Sequence, residues 1–422
     1  MSASSKRLAI FDLGKTNAKM ILRDPECGTT LASFSTPNSV ISDGPCPHYD
    51  IEGLKAFVLK SLTEFTAHGP IDTIMVSTHG AGIACMAGDD LVLPVMDYEF
   101  EGVEETAAAY DAIRPDIAVT GSYRMPRGLH LAAQLHWLAQ TRPEDVKQID
   151  RLLFWPQFWT HWLSGVAASE IAYAGCHTDL WDFETGSYLN LPELGVDVPK
   201  LMPPLVQCGA VMGPMRTALC DAIGQSTPPK VLCGGHDSSL ALVPLALGHD
   251  GPVTVLSTGT WVCIFALNSP SPSEVSGEGQ MISLDILGHP VTNLRYMGGD
   301  ILARFMDMPY RAGQVAPAHR LNGIFDSQTA WISDESGQPV DVARIPVDQR
   351  LECLSGLLAA ETATCIQSID AQGPICIDGP FATNTRYLRG LETDLGAGRL
   401  QNKISPGVVG GIERLLHVAA EC

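Results

Sequence analysis

Two segments of this chain, residues 8–22 and 253–267, share one design although they lie far apart in the sequence. Each has an apolar run, a tight turn that contains Gly and Thr, and a second apolar run, which is the pattern of a β-hairpin. Glycine lets the turn approach a ligand closely, and successive N–H groups form a concave site for anions. Either turn alone is typical of an ordinary hairpin. The pair predicts that two related halves of the molecule hold one polyphosphate between them.

The charge balance narrows the choice of partners. The chain has 422 residues, of which 47 are acidic and 27 are basic, and a formal net charge of −20. Such an acidic chain is a poor partner for nucleic acid or for an anionic membrane. It can still bind a phosphorylated ligand, because backbone amides and Mg²⁺ neutralise phosphate locally. We therefore expect a small-molecule ligand, while the oligomeric state, including a homodimer, stays open.

Cysteine usage and hydropathy favour a cytoplasmic protein. The 12 cysteines contain no Cys-x-x-Cys pair, and Cys233, Cys263 and Cys376 lie in apolar runs, which is typical of reduced core thiols. No segment approaches the ~20 apolar residues that a membrane-spanning helix needs. The first residues lead directly into a strand and lack the apolar core of a signal sequence. We expect a soluble, cytoplasmic protein.

Strand and helix patterns alternate in both halves of the chain. The spacing of apolar residues predicts helices over 50–68 and 128–140, and a strand, a turn and a helix follow one another over 230–247. Ser and Pro residues predict a loop over 268–280. The alternation indicates an α/β fold, and the hairpin that opens each half predicts a mixed sheet in each.

A Gly- and Pro-containing segment over 224–229 separates the two halves. We therefore expect one domain over 1–228 and a second over 229–422. Each is long enough to bury a hydrophobic core of its own.

Five short motifs occur in the order that they have in one enzyme family. They are Asp12-Leu-Gly-Lys-Thr-Asn-Ala-Lys19, Thr78-His-Gly80, Tyr173–Asp182, Gly234-Gly-His-Asp237 and Ser257-Thr-Gly-Thr-Trp261. Together they resemble the FGGY carbohydrate kinases. The first and last resemble that family's two phosphate motifs, and Gly234–Asp237 resembles its G-x-x-D catalytic motif. Thr78–Gly80 resembles its sugar-side turn. Each motif alone is a weak signal, but five in the same order are specific.

The resemblance implies two ribonuclease-H-like domains around a cleft, with an ATPase core of the actin and hexokinase type. It implies ATP-dependent phosphorylation of a sugar hydroxyl, with ATP and Mg²⁺ as cofactors. The two phosphate turns look most like those of kinases for ketoses and deoxyketoses, such as L-fuculose and L-rhamnulose. The first domain would carry the sugar side and the first phosphate hairpin. The second would carry the catalytic Asp, the second phosphate hairpin and the adenosine side.

Two motifs of the family are altered in this chain. The usual Gly-Gly-Gly adenosine turn corresponds to Gly379, Pro380 and Phe381, where the proline removes a backbone donor. These three residues are the candidates for the adenine side. The usual Trp-x-Asp-x-Arg segment is not intact, and Asp97 and Glu99 occupy that region. Each of these acids is equally consistent with a sugar-hydroxyl acceptor and with a surface acid.

Asp237 is the predicted general base. By the resemblance it accepts the proton of the sugar hydroxyl during phosphoryl transfer, and Gly234 and Gly235 leave room for the substrate. The spacing alone favours an N-cap, because Asp237 precedes Ser-Ser-Leu-Ala, and the two roles are compatible. Asp12 is the predicted partner of Mg²⁺, through water molecules that the ion retains. A turn-forming role is the alternative for Asp12.

The resemblance also assigns the remaining ligand contacts. The phosphate-binding residues would be Gly14, Lys15, Thr16, Asn17, Thr258, Gly259 and Thr260. The sugar-contacting residues would be His79, Gly80, Asp97, Trp159, His236 and Asp237. Core packing is the alternative for the two histidines and for the tryptophan, since aromatic residues at helical spacing usually lie in a core.

Two other classes of protein share part of this pattern. An actin- or chaperone-type ATPase has paired phosphate hairpins but lacks the Gly-Gly-His-Asp segment before the second one. A sugar-binding regulator without turnover would tolerate the altered adenosine turn but would not need both Asp12 and Asp237. A dinucleotide dehydrogenase is disfavoured, because no G-x-G-x-x-G opens a helix after the first strand. The P-loop sequence is absent as well.

Overall fold

The computed structural model describes residues 6–269, 275, 279–311, 341–401 and 407–421, so most of the loop expected over 268–280 lies outside the described residues. The strands are β1 (Leu8–Leu13), β2 (Asn17–Asp24), β3 (Thr29–Pro37), β4 (Val40–Ile41), β5 (His48–Tyr49), β6 (Thr73–Thr78), β7 (Ile83–Ala87), β8 (Asp90–Leu93), β9 (Arg151–Phe154), β10 (Ser169–Glu170), β11 (Trp181–Asp182), β12 (Ser187–Tyr188), β13 (Leu205–Val206), β14 (Val211–Pro214), β15 (Lys230–Leu232), β16 (Gly235–His236), β17 (Val253–Thr258), β18 (Val262–Leu267), β19 (Gln280–Leu284), β20 (Pro290–Tyr296), β21 (Ile375–Asp378) and β22 (Leu400–Gln401).

The α-helices are α1 (Ile51–Thr66), α2 (Ala107–Ile113), α3 (Ile117–Thr120), α4 (Leu131–Thr141), α5 (Pro143–Val146), α6 (Trp155–Ser164), α7 (Ile171–Ala174), α8 (Val198–Leu201), α9 (Thr217–Ile223), α10 (Asp237–Ala246), α11 (Gly298–Asp307), α12 (Val347–Ser368), α13 (Thr385–Leu395) and α14 (Gly407–Glu421). Short 3₁₀ helices lie at Glu101–Thr106, Arg127–Leu129, Pro192–Leu194, Val342–Arg344 and Pro380–Thr383. In the part of the chain that the structure describes, no helix combines the length and the apolar character needed to cross a membrane.

The chain forms two compact units. Unit 1 contains the described residues within 1–244, 282–290 and 406–422, and unit 2 contains those within 245–281 and 291–405. The last helix, α14, therefore belongs to unit 1, where the Arg23 guanidinium pairs with Glu413 at 2.7 Å. The domain boundary expected between residues 228 and 229 stays a prediction.

The main sheet of unit 1 has the strand order β14-β15-β6-β1-β2-β3, with β16 also paired to β6. β1 is antiparallel to β2 and parallel to β6, while β6 is parallel to β15 and β16 as well. β1 is buried almost throughout, as its apolar run predicts. Helix α1 packs on this core through Leu54, Val58 and Leu62, and it begins where the Asp50 carboxylate accepts the N–H of Gly53.

The sheet of unit 2 has the strand order β19-β20-β18-β17-β21-β22. β17 is antiparallel to β18 and parallel to β21, and β21 is parallel to β22. The series β22-β21-β17-β18-β20 thus repeats, in order and direction, the series β15-β6-β1-β2-β3 of unit 1. The predicted α/β class, with a mixed sheet in each half, is confirmed.

Aromatic residues of α6 anchor β1 in unit 1. The ring of Trp159 meets the ring of Phe11 edge to face at 5.1 Å and packs at 5.4 Å from Trp155. Trp155 and Trp159 both have 0% of their surface exposed. Because Phe11 precedes Asp12, this packing fixes the strand that presents the Asp12 carboxylate.

A buried ion pair fixes the segment that follows α7. Asp179 has a left-handed backbone conformation, with φ of 55°, and its carboxylate is buried. It accepts hydrogen bonds from the Arg114 guanidinium at 2.6 and 3.0 Å and from the Tyr110 hydroxyl at 2.6 Å. Burial alone would raise the pKa of Asp179, but nearby His130 and Arg114 outweigh that effect and lower it. An unpaired carboxylate in this position would be costly, so the ion pair holds residues 176–179 in place.

We predict that Arg114→Met destabilises unit 1 by about 3–5 kcal/mol, because the Asp179 carboxylate would stay buried without its partner. Urea unfolding followed by tryptophan fluorescence measures this change. Lys147→Met is the matched control, because Lys147 pairs with Glu144 on the surface and its loss should cost no more than about 1 kcal/mol. Equal unfolding midpoints for the two variants would contradict a structural role for the buried pair.

Candidate active site

Three parallel strands of unit 1 bring the predicted catalytic residues to one edge of the sheet. Asp12 on β1 pairs in register with Ser77 on β6, and Gly235 on β16 pairs with the same Ser77 from the other side. Asp237 follows β16 directly and is the first residue of α10. The carboxyl ends of parallel strands are the usual place for a ligand in an α/β sheet. The strand pairing therefore places Asp12 and Asp237 at the same end of the sheet.

The two carboxylates influence each other electrostatically. Burial raises the pKa of Asp12, and the negative charge of Asp237 raises it further. Lys19 acts in the opposite direction but does not cancel these effects. A pair of like charges at one sheet edge is unfavourable unless a cation or a polar ligand approaches it, which is typical of a functional site.

The Asp237 carboxylate is only partly engaged by the protein. Its Oδ1 atom accepts the backbone N–H of Ser238 at 2.6 Å and lies 3.2 Å from the Nε2 atom of His236. Among the described residues, its Oδ2 atom has no hydrogen-bond partner, and the side chain is 30% exposed. Asp237 is itself the first residue of α10 and accepts the N–H of the adjacent Ser238, not one two or three residues further on, so the predicted N-cap contact is not formed. The second carboxylate oxygen can accept a proton.

His79 presents a buried nitrogen without a partner. Its Nδ1–H donates to the carbonyl oxygen of Gly80 at 2.7 Å, which leaves Nε2 as the acceptor of a neutral ring. Burial lowers the pKa of His79, so the neutral form is favoured. In the described part of the chain no group bonds to this Nε2, although His79 is only 6% exposed. An unsatisfied buried acceptor is costly, and a ligand hydroxyl would satisfy it.

The Lys15 side chain extends from the first glycine turn towards two acids. Its ammonium group pairs with Asp97 and lies 3.2 Å from a carboxylate oxygen of Glu99. It also lies over the rings of Tyr98 and Tyr49, at 4.9 and 5.5 Å from their centroids. Lys15 and Asp97, which were assigned to phosphate and to sugar respectively, are thus in direct contact.

The other atoms of the first turn are more ordinary. The N–H of Gly14 donates to the carbonyl oxygen of Asn17 at 2.9 Å, and the Asn17 side chain donates to the Thr16 hydroxyl at 3.1 Å. Thr16 and Asn17 are exposed. Their role in phosphate binding stays a prediction.

Sequence reasoning missed a cysteine and a histidine beside the catalytic motif. Cys176 interacts electrostatically with both His177 and His236, and a Cβ atom at Gly80 would lie 3.1 Å from the Nε2 atom of His236 and 3.7 Å from the Cε1 atom of His177. Burial opposes ionisation of both partners, but the thiolate of Cys176 outweighs it and raises the pKa of His236 to about 9. The two histidines in turn lower the pKa of Cys176. The Tyr173–Asp182 motif signalled this segment, but not which of its side chains face the site.

Two expectations for the site need correction. Gly234 and Gly235 were expected to leave room for the substrate. A Cβ atom at these positions would instead lie 2.5 Å from the carbonyl oxygen of Val76 and 2.6 Å from the sulfur of Cys208, so the glycines allow close packing of the protein itself. Trp159 was expected to contact the sugar, but its ring has no exposed surface and belongs to the core.

Unit 2 brings the second phosphate turn and the altered adenosine turn together. The Thr258 hydroxyl donates to the carbonyl oxygen of Asp378 at 2.6 Å and accepts the N–H of Phe381 at 3.1 Å. Gly379 has φ of 89°, and a Cβ atom there would lie 1.7 Å from the Thr258 carbonyl oxygen, so only glycine fits. The Phe381 ring is buried in the unit 2 core. These contacts join the two predicted nucleotide-binding segments into one surface.

The outer part of the second phosphate turn is more open. The N–H of Gly259 donates to the carbonyl oxygen of Trp261 at 2.9 Å, so this turn is closed one residue more tightly than the first, in which Gly14 donates to Asn17. The backbone oxygen of Thr260 accepts the N–H of Asp300 at 3.1 Å, so the first turn of α11 holds this turn in place. The ring of Trp261 is 42% exposed. Pro380 begins the 3₁₀ helix that follows Gly379.

The Asp12 and Asp237 carboxylates are compatible with the few protein ligands that Mg²⁺ needs. Among the described residues, no group of three His, Cys, Asp or Glu side chains is placed to hold a metal ion. Mg²⁺ commonly uses only one or two protein carboxylates and completes its shell with water and substrate phosphate oxygens. Burial and, to a lesser degree, the charge of Asp237 raise the pKa of Asp12, and a divalent cation would relieve the second of these effects.

Comparison with known families matches nearly the whole chain. The N-terminal domain of the FGGY family of carbohydrate kinases matches residues 8–244, and the C-terminal domain of carbohydrate kinase FGGY matches residues 250–420. An L-fuculokinase of Haemophilus influenzae is 25% identical over 279 residues, which cover 61% of this chain and 57% of that protein. An L-fuculokinase of Escherichia coli K12 is 24% identical over 272 residues, which cover 60% and 55%. The match thus spans little more than half the length of these curated relatives.

Solved structures give the same picture. A carbohydrate kinase from Novosphingobium aromaticivorans has a TM-score of 0.84 and 27% identity, with 98% of this chain and 92% of that chain covered. A xylulose kinase from Rhodospirillum rubrum has a TM-score of 0.74 and 16% identity, with 97% and 89% covered. At that identity the second comparison shows a shared fold and nothing more.

We predict that Asp237→Asn lowers the pKa of Asp12, because the substitution removes the negative charge that disfavours ionisation of its neighbour. Titration of ¹³C-labelled aspartate carboxyls by NMR measures the shift. Asp89→Asn is the control, since Asp89 pairs with Arg216 and His161 elsewhere in unit 1 and should leave the pKa of Asp12 unchanged. An unaltered Asp12 pKa in Asp237→Asn would show that the two carboxylates do not interact.

Proposed function

Because this chain belongs to the FGGY family of carbohydrate kinases, we propose that it transfers the γ-phosphoryl group of ATP to a hydroxyl group of a sugar. The observation that carries the proposal is that Asp12 and Asp237 both lie at the carboxyl ends of three parallel strands. Asp12 is partly buried and has a raised pKa. Asp237 is partly exposed and has a carboxylate oxygen without a hydrogen-bond partner among the described residues. Phosphoryl transfer needs a group that handles charge on the phosphate and a base for the attacking hydroxyl.

Asp237 would act as the general base. The Oδ2 atom accepts the proton of the sugar hydroxyl as that oxygen bonds to phosphorus and the bond from phosphorus to ADP breaks. The imidazolium of His236, at 3.2 Å from Oδ1, orients the carboxylate and leaves the other oxygen to react. The N–H of Ser238 holds the same Oδ1 atom, so the carboxylate is fixed from two sides.

The acceptor would bind beside His79 and Gly80. The unbonded Nε2 atom of His79 accepts a hydrogen bond from one sugar hydroxyl and thereby loses its burial penalty. Any side chain in place of Gly80 would crowd His236, so this glycine leaves the catalytic motif undisturbed. Asp97 supplies a further carboxylate acceptor, and the Lys15 contact holds it in position.

The nucleotide would bind chiefly through unit 2. In the turn over Thr258–Thr260 the Gly259 N–H is already bonded to Trp261, so the backbone N–H and hydroxyl of Thr260 would serve the phosphates, and Gly379–Phe381 lies against the turn where the nucleoside is expected. Asp12 would hold Mg²⁺ through water, and the ion would supply positive charge against the phosphates. By the family resemblance, Gly14, Lys15, Thr16 and Asn17 are the first-turn candidates for phosphate contact, although the Gly14 N–H is already bonded to Asn17.

We further propose that the acceptor is a ketose or deoxyketose. The curated relatives named above are L-fuculokinases, and the two phosphate turns carry the same Gly-x-Thr and Gly-Thr-Trp signals that suggested this subgroup. Two sugars that differ at one hydroxyl are discriminated by unpaired polar groups in the site, so the choice depends on residues such as His79 and Asp97.

The experiment is a screen of ketoses and polyols with Mg-ATP, in which ADP release is coupled to NADH oxidation. We expect one ketose class to stimulate ADP release strongly above the rate with water alone. ADP release that no sugar changes would instead support an actin- or chaperone-type ATPase. Calorimetry with an ATP analogue separates a third case, since a sugar-binding regulator would bind no nucleotide.

We predict that Asp237→Asn lowers kcat by about 10²- to 10⁴-fold, because the amide cannot accept the hydroxyl proton. The affinity for the ATP analogue should stay within about 3-fold of the wild type, since the substitution leaves unit 2 unchanged. Asp89→Asn serves again as the control and should keep full activity. Wild-type turnover in Asp237→Asn would mean that another group is the base.

A further inference from the structure

We propose that Lys15 belongs to the acceptor site: its ammonium group, held between Asp97 and Glu99 over Tyr49 and Tyr98, forms part of the sugar-binding surface, and the acids around it make that surface selective for neutral polyhydroxy acceptors over sugar acids. The inference rests on the proposed kinase function and adds a role for a side chain that the sequence placed on phosphate.

The geometry of Lys15 directs its charge away from the glycine turn. The ammonium group pairs with Asp97, lies 3.2 Å from Glu99, and stacks over Tyr98 and Tyr49 at 4.9 and 5.5 Å. The lysine side chain is 19% exposed, whereas a free surface lysine would extend into water. Two acids and two aromatic faces make a defined binding position for one cation.

Asp97 is itself fixed from several sides. Its Oδ1 atom accepts the Tyr49 hydroxyl at 3.4 Å and the backbone N–H of Glu99 at 3.2 Å, besides the Lys15 ammonium. The residue is 6% exposed. A buried carboxylate in this position depends on Lys15 for charge compensation, so loss of the lysine would disturb the orientation of Asp97.

The aromatic rings connect this cluster to the proposed acceptor site. The rings of Tyr49 and Tyr98 lie 5.1 and 5.6 Å from the ring of His79, whose Nε2 atom lacks a partner among the described residues. The charge of Lys15 helps to lower the pKa of His79, and Asp237 acts on the same ring with the opposite sign. Lys15 therefore lies on the acceptor side of unit 1, within electrostatic range of the catalytic residues.

The charge of the cluster predicts the class of acceptor. One lysine faces two carboxylates, and Asp12 and Asp237 add negative charge, which the imidazolium of His236 offsets only in part. Sugar hydroxyls can donate to Asp97 or Glu99 and accept from the ammonium group, so a neutral sugar is accommodated. The carboxylate of a sugar acid would meet an ammonium that is already paired and several like charges. A neutral ketose should therefore be preferred to the aldonate with the same number of carbons.

The first test is the Lys15→Met variant, which removes the charge and retains most of the length of the side chain. We expect the KM for the acceptor to rise at least about 10-fold, while the KM for ATP and the affinity for an ATP analogue stay within about 3-fold of the wild type. Lys15→Arg, which can still pair with Asp97, should retain more acceptor affinity than Lys15→Met. A rise in the KM for ATP with an unchanged acceptor KM would place Lys15 on the phosphates and overturn the inference.

The second test compares acceptors of different charge. For the ketose that gives most turnover and the corresponding aldonate, wild-type kcat/KM should favour the ketose by at least about 100-fold. Glu99→Gln removes one negative charge from the cluster and should narrow that ratio. A wild type that phosphorylates the aldonate as well as the ketose would contradict the inference. Lys147→Met, on the distant surface of unit 1, is the control and should leave every constant unchanged.

Direct sugar binding separates failure of this inference from failure of the kinase proposal. Calorimetry measures binding of the same ketose to the wild type and to Lys15→Met, with a non-hydrolysable ATP analogue present. Weaker binding to Lys15→Met without any turnover in the wild type would sustain the role of Lys15 and refute the kinase. Turnover in the wild type with equal sugar binding to both proteins would refute the role of Lys15 alone. Circular dichroism and thermal unfolding verify that each variant is folded.

Discussion

The parallel pairing of β1, β6 and β16 is the constraint on which the rest of unit 1 depends. Because these strands run in one direction, their carboxyl ends meet at one edge of the sheet, and Asp12 and Gly235 flank the same Ser77. That pairing places a partly buried acid and the start of α10 side by side, with Asp237 as the first helical residue. A slip of β1 by one residue would turn the Asp12 side chain to the other face of the sheet. A slip of β16 would move Asp237 away from Asp12. The catalytic chemistry that we propose follows from this register rather than from any single side chain.

The same strand order serves different chemistry in the two units. Asp12 on β1 faces Ser77 on β6, whereas Ser257 on β17 faces Asp378 on β21. The acid has thus changed strands between the two copies of the design. In unit 2 the Thr258 hydroxyl, at the end of β17, bonds to the backbone of Asp378 and Phe381 at the end of β21. This contact joins the phosphate turn to the segment that contains Gly379 and Phe381. One scaffold therefore presents carboxylates in unit 1 and a backbone surface suited to a nucleotide in unit 2.

Sequence patterns predicted the elements that depend on local rules. The hairpins at 8–22 and 253–267, the helix expected over 50–68 and the mixed sheet in each half follow from glycine positions and apolar periodicity, and the family resemblance is confirmed. The patterns failed where tertiary contacts decide. Trp159 has the aromatic character of a sugar-stacking residue, but the neighbouring Phe11 encloses it. Lys15 lies in a phosphate motif, yet its ammonium group pairs with Asp97, which is distant in sequence. Contacts of this kind leave no periodic signal, and the same holds for Cys176 beside His236.

The proposed reaction differs from simple ATP hydrolysis in where the phosphoryl group goes. ³¹P NMR of the wild-type enzyme with Mg-ATP and the best ketose follows the donor and the product together. If Asp237 deprotonates a sugar hydroxyl, a phosphomonoester resonance should grow in step with ADP, while inorganic phosphate stays near its initial level. Accumulation of inorganic phosphate in step with ADP, without a phosphomonoester, would contradict phosphoryl transfer to a sugar.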